Sequence, residues 1–195
     1  KEGHRCDPCG FSYRTVTYGS SFLHSLPTHC ISLLWTHMTT PISICCVCTG
    51  NTCRSPMLEA LIRHRLSGHP TLAHVSVRSA GVSRSALSRS PANDKSVSCM
   101  AERGIDLTTH RSTHIAHTDI ANTDLFLCMS RSHSAVLLQG GVPPSKVSVV
   151  AGGVPDPYGQ SGAVYEACAQ VLERAADTVV DGLINKTSAK TTIDC

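Results

Sequence analysis

Ile42-Ser43-Ile44-Cys45-Cys46-Val47 runs directly into Cys48-Thr49-Gly50-Asn51-Thr52-Cys53-Arg54-Ser55-Pro56, and Met57 to Leu66 follow. An apolar run, a glycine-containing loop and a helix-like stretch in that order predict a strand turning into a helix N-terminus. Such a turn aims several backbone N–H groups at one point, which suits a tetrahedral oxyanion. The loop has a thiol at its start and a guanidinium at its end, with five residues between Cys48 and Arg54. The helix N-terminus and the arginine both favour a thiolate over a thiol. A nucleophile inside an anion cradle points to phosphoryl transfer through a phosphocysteine.

Each loop residue has a reason to be there. Thr49, Gly50, Asn51, Thr52, Cys53 and Ser55 supply backbone amides or hydroxyls that can wrap three phosphoryl oxygens. Arg54 can donate a bidentate pair and stays charged at any working pH. Gly50 permits backbone conformations closed to other residues, and Asn51 tolerates positive φ better than most. Ser55 can donate a hydrogen bond to the Cys48 sulfur. A leaving alcohol or amine also needs a proton. Asp156, in Val154-Pro155-Asp156-Pro157-Tyr158-Gly159, is the expected general acid, held on a turn by two prolines and a glycine.

The rest of the chain alternates strands and helices. Strands are expected at Ile42 to Val47, His74 to Ser79, Asp124 to Met129 and Lys146 to Val150. Helices are expected at Arg54 to Gly68, from Pro91 at N1 to near Gly104, at Ser130 to Leu138 and at Ser161 to Ile184. This predicts an α/β fold: a three-layer architecture with a four-stranded parallel sheet flanked by helices on both faces. Ligands in such folds bind beyond the C-terminal strand ends, where the Cys48 loop and the Asp156 turn both lie.

Composition narrows the function classes. The chain has 195 residues, 41% of them apolar, enough for one sizeable core. A net charge of +3, evenly spread, and 4% aromatic residues give no footprint for nucleic acid. No apolar stretch reaches the ~18 residues of a spanning helix, so no membrane partner is expected. The 11 cysteines are odd in number and unevenly placed. Cys45, Cys46, Cys48 and Cys53 crowd the loop, which suits a reducing, cytoplasmic location where a nucleophile stays reduced. Residues 1–37 show no sustained period and read as an irregular or disordered extension, with Met38 as the expected biological start. Residues 38–186 then form the catalytic domain and 187–195 a tail. The pair Cys6 and Cys9, with His4, is half of a zinc site without its second half, so no metal is expected.

Together, Val47 to Met57 (VCTGNTCRSPM), Val77 to Gly81 (VRSAG), the GIDL and HRS between Gly104 and Ser112, and Asp156 to Gly159 (DPYG) resemble the low-molecular-weight protein tyrosine phosphatases. The resemblance runs from about Pro41 to Ile184. It implies a cofactor-free enzyme acting on phosphorylated proteins in two steps. Cys48 attacks phosphorus, Arg54 stabilises the transition state, and Asp156 protonates the leaving group and then activates water. It also implies that Asn51, Ser55, Ser79 and His110 form the network that holds the loop in shape.

Within that family, Thr52 and Gly159 resemble the protein arginine phosphatase branch, whose loop reads CTGNTCRS and whose acid turn reads DPFG. A threonine hydroxyl at the pocket wall can order a guanidinium or the attacking water, so phosphoarginine is the expected substrate. Tyr158 in place of Phe keeps phosphotyrosine as the alternative. Two other functions would need different residues. An arsenate reductase needs two further relay cysteines, and Cys99 and Cys128 lack the close pairing. An inactive oxyanion-binding module would not need Cys48, Arg54 and Asp156 together. Cys53 either fills space beneath the loop or pairs reversibly with Cys48 under oxidation.

Overall fold

A computed structural model describes residues 41–191. The expectations for residues 1–37 lie outside them. The sheet has four strands: β1 (Ile42–Cys48), β2 (Val75–Gly81), β3 (Leu125–Cys128) and β4 (Val147–Val149). The order is β2-β1-β3-β4 and every pairing is parallel. β1 is unbroken by polar alternation because it is central. Its residues Ile44 to Val47 are completely buried, with helices above and below.

Four helices cover the sheet: α1 (Arg54–Ser67), α2 (Asp94–Ala101), α3 (Arg131–Gln139) and α4 (Gly162–Thr191). Because successive strand residues face opposite ways, Ile44 and Cys46 join α1, α2 and α4 in the larger core, with Leu58, Leu61, Ile62 and Leu172 fully buried. Each such side chain contributes roughly 1.5–3 kcal/mol relative to exposure. Cys45 and Val47 face the smaller core, with Phe126, Cys128 and Leu137 of α3. The three-layer α/β architecture expected from the sequence is thus the observed one.

The structure corrects several boundaries. The second helix does not begin at Pro91. Asn93 is its N-cap, accepting a hydrogen bond from the Lys95 N–H. The Asn93 N–H donates to Thr52 O at 2.8 Å, and this tertiary bond keeps residues 91–93 out of the helix. That helix ends at Ala101 and turns through Gly104 at φ 72. The closing helix passes Ile184 and runs to Thr191. Leu183 and Ile184 still pack on the larger core. Arg103, two residues past α2, grips Glu166 and Glu173 of α4, while Arg65 of α1 meets Asp177. No helix among the described residues is long and apolar enough to cross a membrane.

Topology places the site. The chain leaves β1 for β2 on one side and later returns to β3 on the other. The C-terminal end of β1 is therefore a switch point, where an open α/β sheet leaves a crevice. Cys48 is the last residue of β1.

Candidate active site

Between β1 and α1 the chain folds back on itself. Asn51 adopts φ 57, a left-handed conformation that asparagine tolerates better than most residues. This curl brings the Asn51 N–H to 3.3 Å from Cys48 Sγ. The Ser55 hydroxyl lies 2.9 Å from the same sulfur. Ser55 Oγ accepts from Asn51 Nδ2 at 2.9 Å, and its own hydrogen has two acceptors, Cys48 Sγ at 2.9 Å and the more distant Ala80 carbonyl at 3.4 Å. Two donors therefore converge on one buried sulfur.

α1 begins without the usual cap. Cys53 at the N-cap offers no side-chain bond and the first turn holds no acidic residue. The orphan N–H donors of the first turn thus have no carboxylate of their own and can serve an anion. Pro56 fits there because the first turn does not need its N–H.

The side chain of Asn51 holds the loop from behind. Nδ2 also donates to Ser79 Oγ at 2.9 Å, and Oδ1 accepts from the Thr113 N–H at 2.8 Å. Ser79 passes its hydrogen to Glu59 Oε2 at 2.6 Å. His110 Nε2 donates to the Asn51 carbonyl at 2.7 Å. The four residues singled out for loop support, Asn51, Ser55, Ser79 and His110, are brought together as one network. Gly81 backs it closely: a Cβ there would stand 2.7 Å from both Thr49 O and Ala86 Cβ.

Arg54 is nearly buried and fixed at two of its nitrogens. Nη1 donates to Val154 O at 3.0 Å and Nη2 to Asp156 Oδ2 at 2.5 Å. Its Nε is buried without a hydrogen-bond partner among the described residues. An unsatisfied donor on a buried guanidinium suits an incoming oxyanion. Asp156 is positioned because Val154 N–H donates to Met129 O, and its Oδ1 accepts from the Tyr158 N–H. Gly159 closes the turn at φ 77.

These groups open into a cleft of about 540 Å³. Cys48, Thr49, Gly50, Thr52, Cys53, Arg54 and Asp156 line it on the loop side. Ser85, Ser88, Ser90, Pro91, Ala92, Asn93 and Asp94 complete the lining, with Tyr158, 70% exposed, at the rim. Cys53 is a free, buried thiol 3.4 Å from the Tyr165 hydroxyl. Among the described residues no group of three or more His, Cys, Asp and Glu side chains is placed to hold a metal ion.

Sequence reasoning missed several members. Glu59 shares a helix face with Ser55, four residues earlier, and a carboxylate turned toward a sheet is a readable signal. Thr113, Val154 and Tyr165 act through backbone groups or from distant elements, and nothing local marks them. His133, on α3, bonds Thr49 at 2.9 Å. Burial, and then the charge of Arg54, hold its imidazole below the usual range, opposed by Asp156.

The family model described as low molecular weight phosphotyrosine protein phosphatase matches residues 43–189. The chain is 35% identical over 144 residues to a probable low molecular weight protein-tyrosine-phosphatase, EpsP, of Ralstonia nicotianae, covering 71% of this chain and 93% of that protein. It is 33% identical over 152 residues to the protein-arginine-phosphatase of Geobacillus stearothermophilus, covering 73% and 97%. The solved structure of YwlE arginine phosphatase from that organism superposes with a TM-score of 0.67 at 30% identity, over 76% of this chain and 97% of that one. With its loop, its sheet order and these likenesses in agreement, the chain belongs to the low molecular weight phosphotyrosine protein phosphatase family.

Proposed function

We propose that this protein hydrolyses phosphorylated protein side chains through a phosphocysteine on Cys48, with phosphoarginine preferred. The observation that carries the reading is the convergence of the Ser55 hydroxyl and the Asn51 N–H on Cys48 Sγ, with Arg54 at the far end of the same loop. Donors that meet at a sulfur stabilise it as thiolate and again as leaving group.

In the first step Cys48 Sγ forms a bond to phosphorus while the bond to the substrate nitrogen or oxygen breaks. Asp156 gives its proton to the leaving atom. The amides of the loop, from Thr49 to Ser55, and the Arg54 guanidinium hold the three equatorial oxygens as charge redistributes. In the second step water attacks phosphorus, Asp156 takes a proton from it, and the phosphorus–sulfur bond breaks. Inorganic phosphate leaves and Cys48 returns to thiolate. No electrons are exchanged and no cofactor enters the balance.

The cleft wall supports a guanidinium substrate. Ser85, Ser88, Ser90, Asn93 and Asp94 bring hydroxyl, amide and carboxylate groups to the cleft lining, and Thr52 adds a hydroxyl. A delocalised cation with several N–H donors matches such a wall. Phosphotyrosine is the second reading, favoured by the Tyr158 ring at the rim, against which an aromatic substrate could stack. The Ralstonia relative bears a tyrosine-phosphatase name and the Geobacillus relative an arginine-phosphatase name, at comparable identity.

Phosphoarginine and phosphotyrosine peptides of the same sequence, compared beside a Cys48→Ser control, test the proposal. A higher kcat/KM on phosphoarginine is expected. A large preference for phosphotyrosine overturns the substrate assignment, and turnover by the Cys48→Ser protein overturns the mechanism.

A further inference from the structure

Thr49 has a partner that the oxyanion cradle does not require. Its Oγ1 lies 2.9 Å from His133 Nε2, and Thr49 itself is exposed and lines the cleft. His133 is only 4% exposed. Its other nitrogen, Nδ1, lies 2.9 Å from Ser130 Oγ, which in turn lies 2.7 Å from Ser132 Oγ. A histidine buried beside the Arg54 charge is held in its neutral form, with one N–H and one lone pair.

The row of hydroxyls and imidazole can be polarised in two directions. In one, Ser132 donates to Ser130, Ser130 donates to Nδ1, and Nε2–H donates to Thr49 Oγ1. The Thr49 hydrogen is then left to point into the cleft. In the other, Thr49 donates to Nε2 and only its lone pairs face the cleft. Lone pairs repel an anion, so a bound phosphoryl group selects the first direction. Ser130 Oγ also receives the His133 backbone N–H at 3.4 Å as the α3 N-cap, which fixes where that hydroxyl sits.

We propose that His133 is a positioning residue: as its Nε2–H tautomer it holds Thr49 Oγ1, so that the Thr49 hydroxyl becomes a directed donor to a phosphoryl oxygen. Without that bond the hydroxyl is a free rotor at an exposed rim, solvated as often as aimed. The inference rests on the reading that the Cys48 loop binds phosphoryl groups. It adds a side-chain donor to a cradle otherwise built of backbone amides and Arg54, and it brings α3 into the site. The charged groups acting on His133 are Arg54 and Asp156.

The test is a double-mutant cycle. Affinity for inorganic phosphate and kcat/KM on para-nitrophenyl phosphate are measured for Thr49→Val, His133→Leu and the double variant, with melting temperatures alongside. Each single change is expected to weaken phosphate binding about tenfold, the scale of one hydrogen bond to an anion. The double variant is expected to be no worse than either single one, since His133 then has nothing left to aim. His133→Gln, which places an amide donor near the Nε2 position, restores most of the loss. His133→Asn, which reaches only Ser130, does not, and it serves if the leucine variant fails to fold. A His133 effect that persists in full in the Thr49→Val background overturns the proposal, as does full phosphate affinity in His133→Asn. If the wild-type protein binds phosphate but hydrolyses nothing, the mechanism fails while the phosphate affinities still decide the role of His133.

Discussion

Arg54 Nη2 and Asp156 Oδ2 stand 2.5 Å apart, with the arginine side chain 6% exposed and the aspartate 49%. Before substrate arrives, the guanidinium and the candidate proton donor are tied to each other across the mouth of the loop. Asp156→Asn separates their roles. It removes the transferable proton, so kcat should fall by ~10²–10⁴. It also removes the carboxylate that pairs with Arg54 before substrate arrives, so phosphate affinity should hold or rise. Steady-state kinetics and phosphate titration check both. A variant with near-normal kcat would take Asp156 out of the mechanism.

Asn51 carries the loop's unusual backbone and joins four other residues to it through its side chain and carbonyl. Asn51→Ala leaves Ser55, Ser79 and the Thr113 N–H short of partners and puts alanine at φ 57. A loss of ~2–4 kcal/mol in unfolding free energy follows from the known scale of such defects. Activity should fall further than stability alone explains. Chemical denaturation and kcat/KM measured on the same preparation check this.

Gly81→Ala attacks the same loop from below. Its new methyl would crowd Thr49 O and Ala86 Cβ, with the Asn51 N 3.1 Å away. Overpacking of this kind costs about 1–3 kcal/mol. Because the strain falls on the Cys48 loop, kcat/KM should drop even in molecules that remain folded. Normal kinetics in this variant would mean the loop can shift without penalty.

Buried thiols set an alkaline limit on stability. Burial pushes Cys45, Cys128 and Cys168 from 9.0 up to about 12, and raises Cys46 as well. Their folded values lie above their unfolded ones, so the unfolded chain gives up these protons first. Stability is therefore fully present below about pH 9 and is lost as pH rises toward about 12, with a slope of about 1.4 kcal/mol per pH unit for each fully ionised thiol. Denaturant melts between pH 8 and 10.5 should show this fall. A flat profile would mean these thiols ionise freely in the native state.

Thr52 bears on the choice of substrate. Thr52→Ile replaces a cleft hydroxyl with an apolar branch and should shift preference from phosphoarginine toward phosphotyrosine. Competition between the two phosphopeptides reads the shift directly. Unchanged selectivity would remove Thr52 from the specificity argument.

The parts that sequence made legible share one property: they are local. Cys48, Arg54 and Ser55 sit within one strand–loop–helix unit whose spacing fixes what they can touch. The apolar run Ile42 to Val47 marked the first strand, although its place at the centre of the sheet comes from pairing with distant segments. What was not legible depends on other elements. Pro91 looked like a helix start because no local signal reveals that the Asn93 N–H is committed to Thr52 O. Glu59 supports the loop only through Ser79 on β2, and His133 reaches Thr49 only because α3 packs against β3 and β4. Parallel pairing of distant segments creates these contacts, and periodicity carries no record of them.

The most direct measurement is acid-quenched mass spectrometry of the Asp156→Asn protein during turnover of para-nitrophenyl phosphate, whose leaving group needs little protonation. Loss of the water-activating carboxylate should let the intermediate accumulate as one phosphoryl group on the Cys48 sulfur. Phosphate release with no adduct on Cys48, or an adduct on another residue, would contradict the account.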